Sequence, residues 1–140
     1  MPESNSRAQV DALISRFFGA FNNPGGRKPN LTELLCLFSR KAIVAKHFEC
    51  QCELYSPEEF AKPRVALLTK GELTEFHEWE ESQTTEIVGT LATRTSRYAK
   101  AGSFNGKPYS GTGTKFFQLA KFSSGWQIVA LSWIDDLTIS

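Results

Sequence analysis

Gly111-Thr-Gly-Thr-Lys-Phe-Phe-Gln-Leu-Ala-Lys-Phe122, followed across Ser123-Ser124-Gly125 by Trp126-Gln-Ile-Val-Ala-Leu-Ser-Trp-Ile134, decides the fold. Two runs rich in aromatic and β-branched residues, joined by a short turn-forming stretch, read as a long β-hairpin. A three-residue loop with Gly125 at positive φ predicts Phe122 opposite Trp126, Ala120 opposite Ile128, Phe117 opposite Leu131 and Lys115 opposite Trp133. Strict alternation then puts Phe116, Ala120, Phe122, Trp126, Ile128, Ala130 and Ile134 on one face, and Phe117, Leu119, Val129, Leu131 and Trp133 on the other. Neither face is polar. A sheet wetted on one side alternates apolar with polar residues, so this one is expected to be covered twice, by helices on one face and by a second sheet or another subunit on the other.

Upstream, Val10, Leu13, Ile14, Phe17, Phe18 and Phe21 keep the spacing of a single helical stripe. Ser6 with Gln9 three residues later makes a capping box that predicts the start of this helix, and Asn22-Asn23-Pro24-Gly25-Gly26 ends it. A shorter helix is expected from Asn30, with Leu31, Leu34, Leu35 and Phe38 inward and Glu33 in the first turn, where the helix dipole favours an acid. Ala42–Phe48 and Cys50–Tyr55 read as two short strands. Ser56-Pro57-Glu58-Glu59 then supplies an N-cap, a proline at the first helical position and an acid at the third. Pro63 makes the segment from there to Gly71 one irregular helical stretch, anchored by Phe60, Val65, Leu67 and Leu68. A strand from Leu73 to about Val88, a turn at Gly89-Thr90, a strand from Leu91 to Lys100 and a loop over 101–108 lead into the hairpin. The order of elements is α+β, without internal repeat.

At 140 residues the chain is long enough to bury a core without metal or disulfide support, and it reads as one domain over 1–140. Sixteen Lys and Arg against fifteen Asp and Glu give a formal charge of +1, and the basic residues are scattered. That removes the electrostatic case for nucleic acid or an anionic membrane as partner. No apolar run approaches the about 20 residues of a membrane span and the N-terminus lacks a signal-peptide core, so a cytoplasmic location is expected. Cys36, Cys50 and Cys52 form an odd set without a Cys-x-x-Cys pair. They are expected to be buried or half-buried free thiols. Cys50 and Cys52 with His47 lack the fourth ligand and spacing of a metal centre, so no metal is expected.

The helix end Phe17-Phe18-Gly-Ala-Phe21, Phe76-His-Glu-Trp-Glu80, Arg97-Tyr98, Gly111-Thr-Gly-Thr-Lys-Phe-Phe-Gln118, Gly125-Trp-Gln-Ile128 and Trp133-Ile-Asp-Asp136 resemble the nuclear transport factor 2-like superfamily. That superfamily includes ketosteroid isomerases and SnoaL-type cyclases, and the likeness is strongest to bacterial SnoaL-like or DUF4440-type members. The resemblance spans nearly the whole chain. It implies a cone-shaped α+β fold in which a curved antiparallel sheet wraps a long N-terminal helix around an apolar pocket, with the outer sheet face forming a homodimer. It implies a small hydrophobic ligand or substrate and no cofactor.

Candidate site residues come from chemistry and strand parity. In Leu73-Thr-Glu-Phe-His-Glu-Trp-Glu80 alternation groups Leu73, Glu75, His77 and Trp79. His77 beside Glu75 offers a base and its orienting partner near neutral pH, with Trp79 to exclude water; a solvated acidic strand explains the same residues. Ala92, Arg94, Ser96 and Tyr98 share a face, so Tyr98 or Arg94 is a candidate oxyanion donor, against the simpler reading that the arginines pair with neighbouring glutamates. Asp135 and Asp136 end the final strand, and one of them, Asp135 in particular, is a candidate general base at a pocket mouth, against the simpler reading of paired acids as solvated turn residues. Phe17, Phe21, Trp79, Phe117 and Trp133 are the expected ligand-lining aromatics. Gly111-x-Gly113 lacks the helix and third glycine of a dinucleotide site and reads as a bulge or close backbone approach. The functional expectation is a cofactor-independent isomerase, cyclase or dehydratase; a noncatalytic ligand-binding or dimeric scaffold module is the alternative.

Overall fold

An apolar stripe running from Val10 to Phe21 needs a surface to meet, and the sheet provides it. In the computed structural model, which describes residues 2–137, helix α1 (Pro2–Gly19) lays Val10, Leu13, Ile14, Phe17 and Phe18 against the sheet, all of them buried. Each such side chain contributes about 1.5–3 kcal/mol when fully withdrawn from water. α1 starts earlier than the Ser6 capping box implies, because Pro2 stands in its first turn, where a missing N–H is harmless; Ser6 is interior and buried. A 3-10 turn at Pro24–Gly26 follows, then α2 (Leu31–Leu35), whose N-cap Asn30 side chain accepts from the Glu33 N–H at 3.0 Å.

The strands are β1 (Phe38–Phe48), β2 (Gln51–Tyr55), β3 (Leu73–Val88), β4 (Leu91–Phe104), β5 (Lys107–Phe122) and β6 (Gly125–Asp135), in the spatial order β2-β1-β6-β5-β4-β3. All neighbours are antiparallel except β1 and β6, which run parallel. Between β2 and β3 lies α3 (Pro57–Thr69), opened by a complete Ser56/Glu59 capping box and continuous through Pro63. The loop expected over 101–108 is a tight turn instead. β4 runs on to Phe104 and β5 begins at Lys107, with Asn105 and Gly106 both at positive φ between them.

The hairpin differs from simple alternation in an instructive way. Its turn has two residues, Ser123-Ser124, so Phe122 faces Gly125, Lys121 faces Trp126 and Leu119 faces Ile128. A bulge at Val129 supplies the extra residue within β6, and from there Phe117 faces Leu131 and Lys115 faces Trp133, as the sequence predicts. Trp126 and Ile128 therefore point inward with Phe117, Leu119, Leu131 and Trp133, and do not share the face of Phe116 and Ile134. The three cysteines are exposed free thiols. Their expected burial fails for local reasons: Cys52 lies on β2, an edge strand at the end of the sheet, Cys50 in the turn that leads into it, and Cys36 at the C-cap of the short helix α2. Among the described residues no helix is long and apolar enough to cross a membrane, and no three His, Cys, Asp or Glu side chains gather as a metal site.

Candidate functional site

One row of cross-strand partners builds the centre of the site. Tyr98 on β4 lies opposite Gly113 on β5, which lies opposite Asp135 on β6. Because Gly113 has no side chain, the Tyr98 ring crosses over it and its hydroxyl donates to Asp135 Oδ1 two strands away. A Cβ on Gly113 would overlap the phenol and fall 2.6 Å from the Ile134 carbonyl oxygen, so the close approach read from Gly111-x-Gly113 is real and has this purpose. Lys100, two residues beyond Tyr98, places its ammonium 3.3 Å from the same Asp135 oxygen. Lys115 reaches from β5 to β3, over the Tyr98 ring at 3.8 Å, and stands 3.0 Å from Glu78 Oε1. Both side chains of that pair are over 90% buried, at 8% and 9% exposure. Glu78 Oε1 has no well-directed hydrogen bond, so the contact is ionic in character.

These polar groups converge on a cavity of about 290 Å³ between α1, α3 and the inner sheet face. Phe17 and Phe21 come from α1, Phe60, Arg64, Leu67 and Leu68 from α3, and Phe76, Tyr109 and Trp133 from the sheet. Four cations, Lys46, Arg64, Lys100 and Lys115, line it against two carboxylates, Glu78 and Asp135.

Burial and pairing tune these groups in opposite directions. Burial pushes the Asp135 carboxyl up, but the hydrogen bond from Tyr98 and the Lys100 ammonium outweigh it and hold it below the ordinary 3.8. Burial also pushes Lys100 down, and Asp135 with Tyr109 reverses this, leaving it raised. For Lys115 burial wins over Glu78 and the ammonium is held below its ordinary value. Tyr98 is pushed well up, first by burial and then by its bond to Asp135, so it stays a proton donor. An ionised carboxylate, two ammonium groups and a neutral phenol thus meet at a partly sheltered cavity between helices and sheet, where charge interactions are stronger than in bulk water.

Of the residues singled out in the sequence, Phe17, Phe21, Trp133 and Asp135 line the cavity and Tyr98 lies beneath it, bonded to Asp135. Phe117 packs edge-on to Phe17 at 5.2 Å within the core and is not on the wall. His77, Glu75 and Trp79 stay outside. A bulge at Glu75, which sits at φ 48°, resets the alternation of β3, so that Leu73, Phe76 and Glu78 face inward and His77 outward. His77 stacks on Trp79 with ring centroids 4.7 Å apart, both exposed, and Glu75 accepts the Gly25 N–H at 3.1 Å. His77 and Glu75 are therefore not brought to the cavity. Nor is Arg94, which borders a separate depression beside α1 and is committed there to Glu80 Oε1 and Asp11 Oδ1, each at 2.6 Å. Lys115, Lys100, Glu78 and Arg64 were missed. Signals existed: Lys115 alternates with Phe117 and Leu119 on an otherwise apolar face, and Arg64 follows Phe60 by four residues on the apolar side of α3.

No model of a known protein family matches the sequence, and no curated protein matches it either. Solved structures do match. An NTF2-like superfamily protein from Salmonella enterica serovar Typhimurium superposes with a TM-score of 0.77 at 15% identity, covering 99% of this chain and 96% of that one. An NTF2-like protein with a cystatin-like fold from Novosphingobium aromaticivorans gives 0.72 at 14% identity, covering 96% and 84%. The chain has the NTF2-like fold. The hexachlorocyclohexane dehydrochlorinase LinA-type3 from Novosphingobium barchaimii shares this cone at a TM-score of 0.74 and 13% identity, covering 96% and 89%. At such identities the NTF2-like likeness is one of architecture: a curved sheet closed by helices over an interior cavity.

Proposed function

We propose that the chain takes a small, largely apolar molecule into the cone and performs cofactor-independent acid–base chemistry on it, with Asp135 as the base. The observation that carries this reading is the convergence of an ionised Asp135 with the Lys100 and Lys115 ammonium groups in a cavity whose other walls are mainly aromatic and aliphatic side chains. A carboxylate can take a proton from carbon next to a carbonyl if the charge that develops on oxygen is met by fixed cations, and the two lysines are such cations. Tyr98 acts through Asp135, holding the carboxylate in place. A dehydrochlorinase, an enzyme that removes hydrogen chloride, is built on the same fold, which supports elimination or isomerisation as the class of reaction; at 13% identity it lends no residues.

The test is hydrogen–deuterium exchange at the carbon beside the carbonyl in a panel of one- and two-ring ketones and lactones, followed by NMR. Asp135→Asn is expected to slow exchange by about 100-fold or more while ligand binding persists. The rate should show an acid limb below pH 3.8, because the Asp135 carboxyl is depressed, and an alkaline limb below pH 10.5, because the Lys115 ammonium is depressed too. Binding without any exchange, in wild type as in Asp135→Asn, would leave the noncatalytic ligand-binding reading in its place. A homodimer through the outer sheet face belongs to the same proposal. Phe116, Ile134 and Ile43, on adjacent strands of that face, are exposed by 57, 44 and 56%.

A further inference from the structure

The two carboxylates of the cavity are both taken. Asp135 has Lys100 at 3.3 Å and Glu78 has Lys115 at 3.0 Å. Among the described residues, Arg64 and Lys46 have no carboxylate in ion-pair range. Arg64 is the more committed to the interior. Its guanidinium lies 4.4 Å from the centre of the Phe60 ring and 5.1 Å from that of Trp133, both cavity walls, and burial holds it below its ordinary value. A guanidinium nonetheless stays charged at neutral pH. Its one hydrogen bond among the described residues goes from Nη1 to the Phe60 carbonyl at 3.0 Å, one turn back on α3. That bond and the two rings position the fork, and its Nε and Nη2 donors have no acceptor among the described residues.

We propose that the cavity selects ligands bearing a carboxylate, and that Arg64 is the residue that holds it. The inference deepens the reading of the cone as a small-molecule site and rests on it. A half-buried cation packed against two aromatic walls, with no counter-ion among the described residues, is poorly solvated until an anion arrives. Coplanar free N–H groups match the two oxygens of a carboxylate, which a lysine cannot do. The surplus of two positive charges over the lining residues favours a monoanion or dianion and disfavours a cation. Lys46, half-buried on β1 beside Trp133 in the sheet, adds to the same field. Phe60 and Trp133 meet edge-on at 5.4 Å around the guanidinium, so the body of the ligand next to the carboxylate is best a flat ring. A cavity of about 290 Å³ is at the small end for ligand sites, enough for one or two rings.

Calorimetric titration with benzoate and phenylacetate, their neutral amides and phenyl phosphate tests this on the intact chain. Benzoate is expected to bind about tenfold or more tighter than benzamide, as a charge-assisted bidentate contact requires. In Arg64→Met that preference should collapse, with benzoate losing far more affinity than benzamide, and Arg64→Lys should retain part of it. Since Arg64 pairs with no acid, both variants should fold, with at most a modest fall in melting temperature from the weakened ring contacts and the bond to the Phe60 carbonyl, and the lysine variant keeps the test open if the methionine one does not. Equal binding of benzoate and benzamide to wild type overturns the carboxylate inference and leaves the small-molecule reading standing. Tighter binding of phenyl phosphate overturns the choice of carboxylate. A benzoate preference that survives in Arg64→Met overturns the role given to Arg64. Failure of every ring compound to bind removes the site reading itself, and this inference with it.

Discussion

A methyl group at position 113 has nowhere to go: the Tyr98 phenol lies across one side and the Ile134 carbonyl oxygen is 2.6 Å away on the other. Both atoms belong to the sheet, so neither can yield cheaply. Gly113→Ala is therefore expected to destabilise the chain by about 1–3 kcal/mol, the usual range for overpacking a filled site. It should also move the Asp135 carboxyl. With Tyr98 displaced, burial is opposed by Lys100 and Lys115 with less help, and the carboxyl should rise toward or above its ordinary 3.8. Urea unfolding and carboxyl NMR titration read the two effects separately. A variant of wild-type stability with an unmoved Asp135 would show that the crossing over Gly113 does not set the site. Lys115 and Glu78 illustrate the opposite economy of the interior. Their charges lie under 10% exposed, where removing one partner strands the other and costs more than the intact pair contributes.

At the level of elements, the site exists because two bulges and one asparagine aim the strands. Simple parity along β3 fails from Glu75 until a second irregularity at Glu81 restores it, and along β6 the expected pairing fails before Val129 and holds beyond it, since each bulge inserts a residue that turns the side chains on one side of it over relative to those on the other. Glu75 carries no residue-type mark of such a site: a non-glycine at positive φ is uncommon, and nothing in Leu73-Thr-Glu-Phe-His announces it. That is why His77 was placed toward a pocket it does not reach. The stripe on α1, the Ser56 N-cap with its acid at the third position and the bounds of β3 were legible because they rest on local periodicity and capping chemistry, which tertiary contacts did not override. Asn23 was legible only as part of a helix stop. It is in fact buried, donating to the Leu68 and Leu73 carbonyls at 2.8 and 2.7 Å and accepting the Phe76 N–H at 2.7 Å. It thereby ties the end of α1 to the end of α3 and the start of β3, the elements that carry Arg64 and Glu78. Asn23→Ala leaves three buried backbone groups unpaired and should cost about 3 kcal/mol in urea unfolding, with faster exchange of the Phe76 amide. A loss under about 0.5 kcal/mol, within the range of an ordinary surface change, would mean water replaces the side chain.

For the molecule as a whole, the apolar hairpin raised a question that alternation alone left open, namely what covers the second face. The inner face is accounted for by α1, α3 and the cavity; the outer one carries Phe116 and Ile134 in the open, with Ile43 beside them on β1. Ser132 lies between Phe116 on β5 and Ala45 on β1, and these small residues keep the patch flat enough to meet a copy of itself. To one side, Arg97 and Asp136 form an ion pair at 2.7 Å, with Thr112 also donating to Asp136, and this contact draws the Asp136 carboxyl down to about 2. An apolar centre with a polar edge is the usual anatomy of an interface, and a formal charge of +1 offers little repulsion between copies. Sedimentation velocity is expected to find a dimer whose dissociation on dilution follows mass action, and Phe116→Glu should make it monomeric at the same concentration by burying a charge at its centre. Because Phe116 faces away from the cavity, the same variant should bind cavity ligands as wild type does. A wild-type chain that sediments as a monomer at about 100 µM, or a Phe116→Glu dimer, would assign the outer face to some other use and leave the cone chemistry untouched.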